Sequence, residues 1–340
     1  MFDNPLFFER NRVSRVYTGG ALLDKFTGCE ERGDGFLPEE WIASAVVALN
    51  ENPSREREGV SRLESGEYFD KILEENRADM LGPSGKLRIL VKFLDSGIRL
   101  PAQAHPDREF SRKHFNSEYG KTESWIVLGT RENANIFYGF RDGVSEKDFR
   151  AAITDSETDK SAMEKLMKSY SPKVADVFLV SAKTVHAIGY GCLILEIQEP
   201  TDFTVQPERW CGDYRLSDNE MFLGLSREDA ISCFDISSDK GGLVAPKIIC
   251  AKDGVTVESL INESHTPCFA VNRITLNNAE HLLNIKDSYG VYAVTRGEGF
   301  ITGENYLRKI SEGEYFFMPY SAMSRCKIRT DGELQIVECY

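Results

Sequence analysis

The residues best suited to chemistry in this sequence are a glutamine and a histidine, Gln103 and His105, in the stretch PAQAHPDREF. Side chains two apart along a strand point to the same face. An amide oxygen and an imidazole nitrogen on one face are potential metal ligands, and they are equally typical of a polar pair at a strand end. The spacing raises the hypothesis of a metal site and leaves both readings open.

Two further potential ligands lie downstream, each beside a predicted strand. Glu123 is in GKTES at the entry to one strand, and His186 is in TVHAIG after another. Two imidazoles, a carboxylate and an amide oxygen suit a borderline divalent cation such as zinc, with water or substrate at the open positions. Separation along the chain does not decide whether these four side chains meet.

The elements that would position these residues are predominantly strands. Apolar runs bounded by turn residues recur in LRILVKFL, ESWIVLGT, NIFYGF, DVFLVSAKTVHAIG and CLILEIQ. Short strands at this spacing predict an antiparallel sandwich or barrel. Helical spacing and serine caps predict helices in SGEYFDKILEENRADML, SEKDFRAAITD and KSAMEKLMKSYS, which we expect to pack beside the β core.

The last hundred or so residues contain strand patterns broken by glycine turns and no good helix pattern. A polar, loop-like region precedes them. We therefore predict two domains, residues 1–230 and residues 231–340, that pack together because no low-complexity linker separates them.

Composition excludes several classes of partner. The 340 residues carry a net charge of −13, which argues against nucleic acid or an acidic membrane surface as a partner. No apolar run is long enough to span a bilayer, and the N-terminus has no signal-peptide pattern. The eight cysteines are scattered without a C-x-x-C pair, so we expect reduced thiols in a cytoplasmic protein. The sequence does not indicate the oligomeric state.

A set of motifs in one order gives these residues a context. KFLDSGIRLPAQAHPD, GKTESWIVL, IFYGF and HAIGYGCLILEIQEPTD, with YTGGALL and PEEWIASA nearer the N-terminus, resemble segments of the type I mannose-6-phosphate isomerases, a metal-dependent cupin family. The resemblance covers nearly the whole chain. It implies a mainly β fold of two cupin domains, jelly-roll barrels, with helical insertions in the N-terminal half.

The resemblance also implies an activity, the interconversion of mannose 6-phosphate and fructose 6-phosphate through an enediol or enediolate. The implied metal ligands match in residue type, and the expected cofactor is one divalent cation, Zn²⁺ before others. Lys121 would share a strand face with the ligand Glu123 and point into the same cavity. The implied ligands are Gln103, His105, Glu123 and His186, and the implied catalytic residues are Lys121, Glu196 and Lys92.

Three positions depart from the family pattern. Pro101 replaces a serine, Gln206 replaces an arginine, and Lys183 replaces a glycine. The serine and the arginine belong to the phosphate end of the substrate in the family, and a guanidinium is among the strongest phosphate partners. Three alternatives follow: Arg99, Lys183 or Arg209 binds the phosphate beside Gln206, the substrate is a different or unphosphorylated sugar, or the protein binds metal or sugar without catalysis.

The predicted second domain matches only part of a cupin motif. GEYFFMPYSAM has the glycine-to-proline spacing of the second cupin motif at Gly313 and Pro319, but Ser324 occupies the position of the expected histidine. We therefore expect this domain to lack metal ligands.

Overall fold

Antiparallel strands make up most of the regular structure in this computed structural model, which describes residues 2–30, 32–237 and 240–340. The strands are β1 Arg12–Val13, β2 Glu39–Ile42, β3 Leu90–Asp95, β4 Glu123–Thr130, β5 Ile136–Phe140, β6 Met167–Tyr170, β7 Val177–Val180, β8 His186–Ile188, β9 Cys192–Gln198, β10 Trp210–Cys211, β11 Tyr214–Arg215, β12 Gly241–Val244, β13 Lys247–Lys252, β14 Val255–Ile261, β15 Val271–Leu282, β16 Gly290–Gly303, β17 Tyr306–Ser311, β18 Tyr315–Met318 and β19 Lys327–Cys339. The α-helices are α1 Ala21–Phe26, α2 Phe69–Glu75, α3 Arg77–Leu81, α4 Arg108–Phe115, α5 Glu146–Asp155, α6 Asp218–Phe222 and α7 Arg227–Ile231. The mainly β prediction, with helices inserted in the earlier part of the chain, is confirmed.

The first large sheet positions most of the polar residues singled out above. Its strand order is β1-β2-β3-β9-β4-β7-β12, with antiparallel neighbours. Residues alternate between its two faces, as the pleat requires. One face carries the side chains of Lys92, Glu196 and Glu123, while the intervening Phe93 and Leu195 belong to the apolar core on the other face. A charged row and an apolar row therefore come from the same strands.

A smaller sheet, β6-β5-β8, lies against the polar face of the first sheet. A buried apolar cluster joins side chains of the two layers, including Trp125 of β4 and Tyr138 of β5. His186 begins β8, and Gln103 forms a backbone bridge with it. The glutamine and this histidine therefore approach the first sheet from the opposite layer.

The second large sheet contains β13-β14-β15-β19-β16-β17, with β18 also paired to β16. The largest apolar cluster is shared between this sheet and the first one. Rings from both sides meet in it: the centroids of Phe93 and Tyr315 are 6.3 Å apart, and those of Phe69 and Phe317 are 5.0 Å apart. The two sheets therefore share one core.

The adjacent carboxylates of β2 point in opposite directions. Glu39 accepts a hydrogen bond from the indole nitrogen of Trp41 on the polar face of the first sheet. Glu40 accepts a hydrogen bond from the hydroxyl of Tyr315, which lies on β18 of the second sheet. Strand alternation thus divides two neighbouring glutamates between the cavity side and the shared core.

Two of the three predicted helices are present. The first corresponds to α2 and α3, and the second is α5, which begins with a capping box between Ser145 and Asp148. The helix predicted for residues 160–171 is wrong: a 3-10 turn is followed there by β6. Pairing of β6 with β5 and burial of Met167 in an apolar cluster override the local helical pattern. Helix α4, which Asp107 caps by accepting from Phe110 N, had not been predicted.

The first sheet continues past residue 230. Strand β12 pairs with β7 and therefore belongs to the first sheet, although it follows the predicted boundary. The division into residues 1–230 and 231–340 stays a prediction. Among the residues that the structure describes, no helix combines the length and apolar character needed to cross a membrane.

Candidate active site

Three buried side chains converge on one point between the two layers. The Nε2 atom of His105 is 3.1 Å from Glu123 Oε2, and that of His186 is 3.3 Å from Glu123 Oε1. The two Nε2 atoms are 3.1 Å apart. All three side chains are almost fully buried, and their potential ligand atoms lie within 4.8 Å of one another. The three residues therefore form a compact group that a metal ion can bind.

The protonation of the two histidines makes this group fit a cation. His105 Nδ1 lies 2.9 Å from the carbonyl oxygen of Phe203, and His186 Nδ1 lies 2.8 Å from that of Thr184. Each Nδ1 carries the proton that it donates to its carbonyl, so in the neutral ring each Nε2 presents a lone pair. The short contacts with Glu123 are therefore contacts between acceptors, and its Oε2 has no hydrogen-bond partner. A buried cation would satisfy all three atoms.

Gln103 is the fourth predicted ligand and lies beside this group. Its side-chain nitrogen is 3.3 Å from His186 Nε2. Rotation of the amide by half a turn would place the oxygen in that position, because the two ends of the amide have nearly the same shape. All four predicted ligands are thus brought together, with Gln103 at the edge that opens to the cavity.

Lys121 supplies a positive charge next to the histidine–glutamate group. Its Nζ is 3.7 Å from Glu123 Oε2 and donates to the Thr204 hydroxyl at 3.3 Å. Burial and Lys121 lower the pKa of His105 to about 3, so this ring is neutral at pH 7. Burial opposes ionisation of Glu123, but the positive charge of Lys121 favours it, and the pKa of Glu123 lies well below its usual range. Burial lowers the pKa of Lys121 itself.

Glu196 and Lys92 face each other across β3 and β9 on the same side of the sheet. Their backbones pair directly, and Lys92 Nζ is 3.3 Å from Glu196 Oε1 and 3.6 Å from Glu39 Oε2. Burial, together with the nearby charge of Glu123, raises the pKa of Glu196 to about 8. Burial opposes the charge of Lys92, but Glu196 and Glu39 outweigh it and raise its pKa. The three predicted catalytic residues thus lie on one polar face, and Glu196 titrates near neutral pH.

Three charged residues join this face without having been predicted for the site. Arg15 donates to both carboxylate oxygens of Asp202, at 3.0 and 3.2 Å, and to Glu39 at 3.0 Å. Glu39 also accepts a hydrogen bond from the phenol of Tyr17. The sequence did contain a signal for these three residues. Glu39 and Asp202 lie inside the segments PEEWIASA and EPTD that resemble the family, and Arg15 is two residues before YTGG.

A cavity of about 680 Å³ extends from this polar face to the surface. Its volume falls within the range of small-molecule binding sites, about 300–1,000 Å³. The inner wall is buried, while exposed residues at the mouth include Glu51, Asn52 and Tyr214. The residues predicted for the site that line the cavity are Lys92, Gln103, Lys121, Glu196 and Gln206.

The cations predicted to bind a phosphate lie elsewhere. Arg99 pairs with Glu208 at 2.6 Å and with a second carboxylate at 3.2 Å. Arg209 pairs with two carboxylates at 2.8 and 2.7 Å. Neither arginine lines the cavity, and Lys183 does not line it either. Lys183 has a φ of 69° and donates its backbone N–H to the carbonyl of the candidate metal ligand His105 at 2.7 Å.

Comparison with known proteins gives one consistent result, although no protein-family model matches the chain. The mannose-6-phosphate isomerase ManA of Bacillus subtilis is 27% identical over 332 residues, which are 94% of both chains. A mannose-6-phosphate isomerase of Streptococcus mutans is 26% identical over 340 residues, 98% of this chain and 97% of that protein. The chain is therefore similar over nearly its whole length to proteins named mannose-6-phosphate isomerases.

Solved structures of this group of isomerases share the fold. The mannose 6-phosphate isomerase from Bacillus subtilis superposes with a TM-score of 0.76 at 21% identity, over 99% of both chains. A variant of the phosphomannose isomerase from Salmonella typhimurium gives a TM-score of 0.71 at 14% identity, over 98% of this chain and 99% of that one. The predicted cupin fold is therefore confirmed.

Proposed function

We propose that this chain is a metal-dependent aldose–ketose isomerase that interconverts mannose 6-phosphate and fructose 6-phosphate. The observation that carries the proposal is the buried group of His105, Glu123 and His186, whose acceptor atoms face one another beside a cavity lined by Lys121 and Glu196. The full-length similarity to mannose-6-phosphate isomerases supports the same reaction.

The proposed ligands are His105, Glu123, His186 and Gln103, and the proposed cation is Zn²⁺. Two neutral imidazoles and a carboxylate are a usual protein donor set for catalytic zinc, with an open position for water or substrate. When bound, the cation would polarise the sugar carbonyl and stabilise the negative charge that develops on its oxygen. The carbonyl contacts of both Nδ1 atoms would hold the rings in the ligating orientation.

Proton transfer is assigned to Glu196. Isomerisation removes the proton from C2 of the aldose and returns a proton to C1, while the hydroxyl proton on O2 moves to O1. A carboxyl whose pKa is near 8 exists in both protonation states close to neutral pH, which suits a group that takes and returns a proton. Lys92 stays charged beside it and holds the carboxylate in place through their 3.3 Å contact.

Lys121 is assigned a second role at the inner end of the cavity. Its Nζ donates to Thr204 and lies near Glu123, so its remaining protons can reach oxygens of a sugar bound next to the metal ligands. An ammonium there would stabilise the enediolate charge and supply a proton to a sugar oxygen. Glu196 and Lys121 therefore act on carbon-bound and oxygen-bound protons, respectively.

A non-catalytic metal- or sugar-binding role is the alternative, and the cavity argues against it. A binding module needs the ligands and hydroxyl contacts alone, whereas this cavity also buries a carboxyl with a raised pKa beside a charged lysine. The proposed location is the cytoplasm, because all eight cysteines are free thiols, as is usual in reducing compartments.

The decisive experiment is a coupled assay of chelator-stripped protein that has been reloaded with Zn²⁺ and supplied with mannose 6-phosphate. We expect fructose 6-phosphate to form only after reloading. His186→Ala should lose both metal and activity. His265→Ala is the matched control, since this exposed histidine lies outside the site, and it should behave as wild type. Absence of turnover in fully reloaded protein would contradict the proposal.

A further inference from the structure

The outer half of the cavity has the chemistry of a subsite for neutral sugar hydroxyls. We propose that this chain isomerises an unphosphorylated aldohexose with an efficiency comparable to that for the 6-phosphate ester. This inference rests on the proposed isomerase function and concerns the end of the substrate remote from the metal ligands.

Every cation that lines the cavity, within the described residues, already has a carboxylate partner. The guanidinium of Arg15 donates hydrogen bonds to Asp202 and Glu39. Lys92 lies between two glutamates, and Lys121 lies at the inner end of the cavity beside the ligand Glu123. A phosphate could recruit Arg15 or Lys92 only by breaking a buried ion pair, which is strongly unfavourable.

Among the described residues that line it, the mouth of the cavity carries negative charge and no positive charge. Its charged residues there are Glu51 and Glu220. Glu51 accepts from the Ser217 hydroxyl at 2.7 Å and from Asn219 at 3.2 Å, and Glu220 accepts from the phenol of Tyr214 at 2.9 Å. Carboxylates repel a phosphate dianion, but they accept hydrogen bonds from neutral hydroxyls.

The two positions where the family pattern places phosphate contacts offer no positive charge here. Pro101 lines the cavity and has neither a hydroxyl nor a backbone N–H. The amide nitrogen of Gln206 donates to the carbonyl oxygen of Glu220 at 2.7 Å. The second amide hydrogen and the amide oxygen of Gln206 stay available to a sugar hydroxyl, and neither carries the charge that a guanidinium offers to a phosphate.

These contacts predict a small ratio between the kcat/KM values for mannose 6-phosphate and for mannose. A charge-assisted hydrogen bond to phosphate is worth about tenfold or more in affinity, and this cavity provides no uncommitted cation to make one. We therefore expect kcat/KM for mannose 6-phosphate to exceed that for mannose by no more than about tenfold.

The test compares both sugars on the same Zn²⁺-loaded protein. Gln206→Arg introduces a guanidinium at the cavity wall, so the ratio of kcat/KM for mannose 6-phosphate to kcat/KM for mannose should rise by about tenfold or more. Gln206→Glu is the matched control of opposite charge and should lower that ratio. A wild-type preference for the phosphate ester above about tenfold, or a Gln206→Arg variant that changes both sugars equally, would overturn the inference.

Calorimetric titration separates this inference from the isomerase proposal. Failure of the wild-type protein to convert either sugar would refute isomerisation. The ratio of the two dissociation constants then still tests the subsite: values within about tenfold of each other support it, and tighter binding of mannose 6-phosphate beyond that overturns it.

Discussion

Removal of the metal should lower the thermal stability of the protein, and Glu123 should control the effect. Without a cation, two imidazole lone pairs and a carboxylate oppose one another in a buried site. A cation binds this arrangement in the folded state only, because the ligands are far apart in the sequence. Binding to the folded state alone raises the free energy of unfolding.

The size of the effect follows from the chain length. A cation at a thousand times its dissociation constant adds about 4.1 kcal/mol to the free energy of unfolding. For 340 residues, the unfolding entropy is about 0.7 kcal/mol/K, from about 2.1 cal/mol/K per residue. The melting temperature should therefore rise by about 6 °C on loading. Glu123→Gln keeps the shape but loses the charge; a hundredfold loss of affinity would leave a rise of about 2 °C.

The assay is differential scanning fluorimetry of stripped protein with and without Zn²⁺, together with metal analysis of each sample. Glu196→Gln is the matched control, since it removes a carboxylate from the adjacent strand on the same face. It should keep the full rise in melting temperature. A chelator-insensitive melting temperature in wild type, or a full rise in Glu123→Gln, would show that this group is not the metal site.

Three other perturbations test single residues of the cavity. Lys121→Met should keep bound metal but lower kcat by about a hundredfold, whereas wild-type steady-state kinetics would remove Lys121 from the mechanism. The pKa of Glu196 is raised to about 8, and only the ionised carboxylate can remove the sugar's C2 proton. We therefore expect kcat/KM to increase with pH up to about 8 and then level off, and a flat pH profile would contradict this role. Trp41→Phe removes the indole N–H that donates to buried Glu39 at 2.6 Å. This should lower the free energy of unfolding, measured in urea, by about 1–3 kcal/mol. An unchanged midpoint of the urea unfolding curve would argue against that contact.

The candidate metal ligands were predictable because each lies in a short local motif. Gln103 and His105 are separated by one residue, and Glu123 and His186 begin β4 and β8, which belong to the two layers that pack against each other. Local sequence also predicted α5, through its serine cap and acidic first turn. These features depend on neighbours within a few residues, which a sequence displays directly.

The neutralisation of the predicted phosphate-binding cations was not predictable in this way. Arg99 meets Glu208, which is 109 residues away in the chain, and Arg209 meets Glu157, which is 52 residues away. Such partners are chosen by the tertiary fold. The helix predicted for residues 160–171 failed for a related reason, because pairing with β5 satisfied its backbone better than its own turns.

The two adjacent glutamates of β2, Glu39 and Glu40, limit which changes of strand register this protein tolerates. A slip of β2 by one residue would exchange the two faces, turning Glu40 into the cavity and Glu39 towards the phenol of Tyr315. Contacts to both side chains oppose such a slip. The second large sheet therefore helps to fix the register of β2, since Tyr315 bonds Glu40 and leaves Glu39 on the cavity side. A chimera that exchanges this sheet should preserve a phenol at that position to keep the cavity-lining side chains of β2 in place.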